Sequence, residues 1–208
     1  MSNGDSLGAD TERWEKRYVD NDLPWDTGEP DGHLVAFVRD EAVTPCRVLD
    51  VGCGTGTNAL FLRRLGFDVC GVDLSRTAID RARERASHAS AECRFEVVDF
   101  LSEPVPGGPF GMVYDRGCFH SFDEPEIREQ YASRVSEALV PGGTWLSLIG
   151  STDSPPTDAG PPRRSAAQIT LAVEPHFEIV RLEASIFDRG RFEEARAWVL
   201  VGRRRAGA

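Results

Sequence analysis

Residues 48–59 read V-L-D-V-G-C-G-T-G-T-N-A, an apolar run that ends in Asp50 and is followed by glycine at positions 52, 54 and 56. Glycine lets a ligand approach the main chain, so this alternation where a strand gives way to a helix marks a turn built to face a ligand. Two further acids close later apolar runs: Asp73 in V-C-G-V-D-L-S, and Asp99, which Phe100 follows. A carboxylate can accept hydrogen bonds from a pair of hydroxyls, and an acid beside an aromatic can pair an amino group and cover the ring that carries it. Further on, V-Y-D-R-G-C-F-H-S-F brings together Asp115, Arg116, Cys118 and His120. Asp115 and His120 are the candidates for a proton-accepting role.

To converge, these residues must sit at the ends of neighbouring strands. Short apolar runs at 47–51, 68–72, 94–98, 111–115 and 144–149 read as strands covered on both faces, with helical stretches between them. Ser75 can cap a helix that runs to about Ala89, and a second helix over 124–139 is stopped by Pro141-Gly142-Gly143. A Pro/Gly-rich loop, 151–162, precedes a helix at 165–173, and the runs 177–186 and 195–202 form an antiparallel hairpin that finishes the sheet. The expected fold class is α/β: a Rossmann-like, doubly wound, mostly parallel seven-stranded sheet. Residues 1–10, rich in Ser, Gly and Asp, are expected to be disordered, 33–41 to be helical, and 11–208 to form one domain.

Composition narrows the function. A chain of 208 residues can bury a core without disulfides or metals. Asp and Glu outnumber Lys and Arg by 34 to 24, a formal charge of −10, and no basic cluster is dense enough to follow a phosphate backbone. Nucleic acid is not an expected partner, and Arg163-Arg164 and Arg203-Arg204-Arg205 read as solvated charge. Five widely spaced cysteines suggest neither a disulfide framework nor a metal site. With no export signal and no bilayer-length apolar run, a cytoplasmic protein without a membrane partner is expected.

A dinucleotide-binding turn asks for glycine at its sixth position, which is Thr57 here, and the lysine of a Walker loop is absent. The spacing Asp50-x-Gly52-x-Gly54-x-Gly56 instead resembles the first motif of the class I S-adenosylmethionine-dependent methyltransferases, and the likeness runs through most of the chain. It implies that Asp50, Gly52, Cys53, Gly54 and Gly56 border the cofactor, and that Asp73 and Leu74 hold its ribose. It also implies that Asp99 and Phe100 meet the adenine and that Asp115 closes the set.

The stretch 14–30, W-E-K-R-Y-V-D-N-D-L-P-W-D-T-G-E-P, is similar to the thiopurine, thiol and halide methyltransferase group, whose aromatics here line the cofactor pocket. Trp14, Tyr18 and Trp25 match those positions, with Tyr18 where tryptophan is common. Ring faces attract a desolvated cation such as a sulfonium by about 0.5–2 kcal/mol. The segment 11–42 is expected to act as a helical lid, with 11–30 short of partners until cofactor binds. Ala159-Gly160-Pro161-Pro162 resembles the region of this group that closes over the substrate. The Asn/Asp-Pro-Pro-Tyr tetrad of base and glutamine methylases is absent.

The resemblance implies transfer of a methyl group from S-adenosyl-L-methionine to a small molecule, a thiol, halide or related soft nucleophile, leaving S-adenosyl-L-homocysteine. O- or N-methylation of a small heterocycle, or cofactor binding without turnover, are the alternatives. An in-line displacement needs alignment and a dry pocket more than a base. His120 could equally be a packed histidine, Cys118 a small core residue, and Arg116 the partner of an acid on the following helix. The chain is expected to be a monomer or weak dimer.

Overall fold

The structure is a computed structural model and describes residues 3–154, 161–187 and 195–206. The strands are β1 (Arg47–Val51), β2 (Asp68–Asp73), β3 (Arg94–Val97), β4 (Phe110–Arg116), β5 (Leu139–Gly150), β6 (Phe177–Ile186) and β7 (Arg196–Arg204). They form one sheet in the order β3-β2-β1-β4-β5-β7-β6. β1 to β5 pair in parallel, and β7 runs antiparallel between β5 and β6.

Successive side chains on a strand point to opposite faces, and the apolar runs use both faces. Val48, Met112, Tyr114 and Leu146 feed one core, while Leu49, Val113, Trp145 and Ile149 feed the other. The first core is covered by α2 (Gly32–Asp40), α3 (Thr57–Arg64) and α4 (Arg76–His88), the second by α5 (Pro125–Ala138) and α6 (Ala166–Val173). The starts of α2, α4 and α6 are set by side-chain caps, each worth about 1 kcal/mol. Asp31 accepts from the His33 and Leu34 N–H groups, Ser75 from Ala78, and Ser165 with Gln168 forms a capping box. α1 (Asn3–Val19) packs on α4.

Two boundaries depart from expectation. α1 begins at Asn3, inside the stretch whose composition suggested disorder, because a helix anchored further along extends at little cost per residue. β5 follows α5 directly at Leu139 and runs through Pro141-Gly142-Gly143. Leu139 pairs with Phe110, and a register shift between Phe110 and Met112 absorbs the extra residues. The hairpin turn between β6 and β7 and the centre of the loop at 151–162 lie outside the described residues, as do Ala159 and Gly160.

The strand order reverses at β1, between β2 and β4. In such sheets the crevice at the reversal opens outside the carboxyl ends of the strands. The turns after β1, β2, β3 and β4 therefore converge. Among the described residues no helix is long and apolar enough to cross a membrane, and no cluster of His, Cys, Asp and Glu could hold a metal ion.

Candidate active site

A cavity of about 540 Å3 occupies this crevice, roofed by the N-terminal segment. At one end lie Gly52, Asp73, Leu74, Asp99 and Phe100. Asp73 is 9% exposed, and its two carboxylate oxygens accept from the Gly54 and Ser75 N–H groups, both at 2.9 Å. These bonds fix the carboxylate and leave lone pairs for a diol. Burial pushes its pKa up to about 6 against the pull of the two N–H bonds. Asp99 accepts from the Leu101 N–H at 3.0 Å and the Ser102 hydroxyl at 2.6 Å, and Phe100 packs 5.1 Å from Tyr131.

The glycines have separate duties. A Cβ on Gly54, at φ +55°, would lie 2.8 Å from the Tyr18 hydroxyl, and one on Gly56, at φ +81°, would lie 2.9 Å from the Phe95 ring. Gly54 thus admits Tyr18, Gly56 admits the close packing of α3, and Gly52 lines the cavity. A smaller pocket of about 60 Å3 shares Tyr18, Trp25, Gly52 and Arg116 with the first.

The roof is an aromatic wall. Trp25 stands edge-on to Trp14 at 5.6 Å and to Tyr18 at 6.3 Å, and the Arg17 guanidinium lies 4.5 Å over the Trp25 ring. Contrary to expectation, the segment has many partners without a ligand, because α4 offers it polar groups at both ends. Glu15 accepts from the Ser75 hydroxyl, the Thr77 hydroxyl and the Thr77 N–H. Arg81 donates to the Tyr18 carbonyl at 2.8 Å, and Thr55 donates to Asp26 at 2.7 Å.

The other end is built from the loop after β4, with Pro161, Pro162 and Phe187. Arg116 donates from Nε to Asp31 at 2.8 Å, an ion pair whose carboxylate is fully buried, and lies 5.4 Å over the Phe187 ring. His120 is 6% exposed and lines the cavity. Its Nδ1 accepts a hydrogen bond from the Gly150 N–H at 2.8 Å. Burial, with Arg164 and Arg116 nearby, lowers its pKa to about 3, so the ring is neutral. Behind it, Arg128 and Arg164 both donate to the Phe122 carbonyl.

Residues 48–143 match the family described as methyltransferase domain. The chain is 29% identical over 193 residues to a probable thiol methyltransferase 2 of Arabidopsis thaliana, covering 89% of this chain and 83% of that one. It is 31% identical to thiocyanate methyltransferase 1 of Brassica oleracea, over 74% and 67% of the two chains. A solved structure concerning conversion of a disulfide bond into a thioacetal group during echinomycin biosynthesis superposes with a TM-score of 0.78 at 31% identity, over 89% and 85%. The chain belongs to the S-adenosylmethionine-dependent methyltransferases.

Within this methyltransferase the expected residues divide. Trp14, Tyr18, Trp25, Gly52, Asp73, Leu74, Asp99, Phe100 and His120 line the large cavity, and Cys53 and Gly54 the small pocket. Gly56 and Asp50 line neither. Asp50 alternates with Leu49 and Val51 along β1 and is turned to the α3 side, near the Ala59 N–H, and its Oδ2 has no partner among the described residues. Burial beside Asp73 and Asp115 pushes its carboxyl well above the usual range.

Asp115 is fully buried and lines neither cavity. Its Oδ2 accepts from Trp145 Nε1 at 2.9 Å, and its Oδ1 from the Cys118 and Phe119 N–H groups at 3.2 Å. Burial raises its pKa to about 6 against these bonds. Its bonds to Cys118 and Phe119 hold the loop after β4. Cys118 lines the cavity and is not plain core, and Arg164 is 7% exposed where solvated charge was expected. Arg116 pairs with Asp31, upstream on the N-terminal side of α2. Sequence reading missed Glu15, Asp31 and Arg81; only Asp31, just before an apolar helical run, carried a signal, that of an N-cap.

Proposed function

We propose that this methyltransferase acts on a small soft nucleophile of the thiol or halide type. What supports the reading is the contrast within one cavity. Asp73, the aromatic faces of Trp14 and Trp25 and the bare Gly52 suit a nucleoside that carries a cationic sulfur. The opposite end, with Arg116, Cys118, His120, Ser121, Phe122 and Phe187, has no carboxylate among the described residues, and so suits an electron-rich acceptor. The thiol and thiocyanate methyltransferases among its relatives support the same class.

Asp73 and Leu74 would hold the ribose, Asp99 and Phe100 the adenine, and the aromatic roof would exclude water. S-adenosylmethionine supplies an activated methyl group: the acceptor's lone pair bonds to the methyl carbon as the carbon–sulfur bond breaks, and sulfur keeps the electron pair. The chain's own contribution is alignment, with Arg116 and His120 facing the acceptor and Asp115 holding the loop that carries them. The volume, about 540 Å3, is ordinary for a drug-sized ligand and also favours a second reading, O-methylation of a hydroxylated heterocycle.

The test is a panel of thiols, halides, thiocyanate, chalcogen oxyanions and hydroxylated or thiolated heterocycles, each incubated with methyl-labelled cofactor. Volatile labelled products from thiols or halides, with S-adenosylhomocysteine accumulating in step, are expected. Label passing only to a hydroxylated ring would replace this reading with the second one. Cofactor binding with no transfer to any acceptor would mark a binding protein.

A further inference from the structure

The proposed methyl transfer leaves open how the acceptor loses its proton, and the inference below rests on that transfer. The carboxylates that line the cavity are committed: Asp73 to the Gly54 and Ser75 N–H groups, Asp99 to Leu101 and Ser102, and Asp22 to Arg17. Asp115 lines neither cavity. Among the described residues at the acceptor end, His120 is the remaining group that could take a proton near neutral pH besides Cys118, whose thiol is pushed up by burial and then by Asp115.

The Gly150 backbone N–H can only donate, so the Nδ1 that receives it must carry a lone pair. A neutral imidazole with its lone pair at Nδ1 carries its proton at Nε2. That atom has no protein partner among the described residues, in a ring that lines the cavity. We infer that His120 is a fixed Nε2–H donor and not a base, and that the site selects acceptors that arrive already ionised. Arg116 stands on the same wall, its charge shared with Asp31.

The surroundings hold this state in place. Among the described residues the charged groups near the ring are Arg116 at the end of β4 and Arg164 ahead of α6, both cations. Asp123 is drawn off by Arg164 at 2.6 Å, and Asp115 is turned to Trp145. A proton added at Nδ1 would face the Gly150 N–H donor to donor and add positive charge near Arg116 and Arg164. The proton balance is simple: the acceptor releases its proton to solvent before it binds, enters as an anion and leaves as a neutral methylated product, and no proton passes through the protein.

Two measurements test this. In protein labelled with 15N-histidine, the His120 signals, assigned by their loss in His120→Gln, should show bare Nδ1 and protonated Nε2 without titration from pH 5 to 8. At saturating S-adenosylmethionine, a series of thiols spanning about three units around the ordinary thiol pKa of about 8.5 should give kcat/KM profiles whose inflection moves with the thiol. His120→Phe should lose roughly 10- to 100-fold in kcat/KM toward an anionic acceptor, and His120→Gln, which keeps a donor, should lose less. A protonated Nδ1, titration between pH 5 and 8, or one inflection common to every thiol would overturn the assignment. If no thiol or halide is methylated, the thiol-or-halide reading falls, and the nitrogen spectrum still decides the state of His120.

Discussion

At the Asp73 end of the cavity the polar side chains are fixed mostly by groups close in sequence: Asp73 by the Ser75 N–H, with the Gly54 N–H from 19 residues upstream, and Asp99 by the Leu101 N–H and the Ser102 hydroxyl. At the His120 end the fixing bonds come from far along the chain. Trp145 and Gly150 reach back 30 residues to Asp115 and His120, and Asp31 reaches forward 85 to Arg116. Local bonds come with the strand-to-helix turn itself, so one end of the site is as robust as the fold. The other depends on β4, β5 and α2 arriving together, and that is where substrate preference can change without disturbing cofactor binding.

The largest expected effect falls on the long-range end. Asp115→Ala leaves the Trp145 indole N–H and two backbone N–H groups buried without an acceptor. It should cost about 2–4 kcal/mol of stability by denaturant titration and distort the loop that carries His120. If that variant keeps both full stability and full turnover, the loop does not depend on Asp115.

Next in size is Asp73→Asn. Loss of charge-assisted bonds to ribose hydroxyls should weaken S-adenosylhomocysteine binding by about 1.5–3 kcal/mol, and the thermal midpoint should fall modestly, because the Asn amide turns a donor toward the Gly54 or the Ser75 N–H. Unchanged affinity by calorimetry would remove Asp73 from the site.

The same carboxyl gives a pH dependence of definite sign. Its folded pKa of about 6 stands above the ordinary carboxylate value of about 4, so the free protein binds the extra proton between those pH values. Asp73, and Asp115 likewise, therefore remove stability as pH rises from about 4 to about 6. Hydroxyls that donate to the ionised form lower the pKa, so cofactor binding near pH 6 should release protons and tighten as pH rises. Calorimetry in two buffers of different ionisation enthalpy reads this directly. Asp73→Asn should abolish most of the release; equal release in both proteins would locate the titrating group elsewhere.

The smallest effect concerns the roof. We propose that residues 11–30 loosen and close as a lid, held to α4 by Glu15 and Arg81. Glu15→Gln should speed amide exchange across 11–30 and weaken cofactor binding by about 1 kcal/mol or less, while S-adenosylhomocysteine slows that exchange in the parent protein. Equal, strong protection with and without ligand would make the segment fixed structure.

The same contrast explains what the sequence made legible. Apolar runs covered on both faces announce parallel strands, and β1 and β6 have the predicted bounds. The acids at strand ends announce a ligand crevice. Asp50 shows the limit: a motif supplies a position along β1, but the period of the strand turns that side chain toward α3 and away from the cavity. Asp115 and His120 look alike in sequence as candidate bases. What separates them is a Trp145 indole and a Gly150 amide that only the pairing of β4 with β5 brings near. The docking of α1 was likewise hidden, because Glu15 and Arg81 resemble any exposed helical pair until α4 lies alongside.

The most direct test of a cavity with a carboxylate-held cofactor end and a donor-lined acceptor end is a crystal structure with S-adenosylhomocysteine. The account predicts the ribose hydroxyls on Asp73, the adenine beside Asp99 and Phe100, and the sulfur facing the Cys118–His120 wall. A nucleoside bound away from Asp73, or a sulfur turned away from His120, would contradict it.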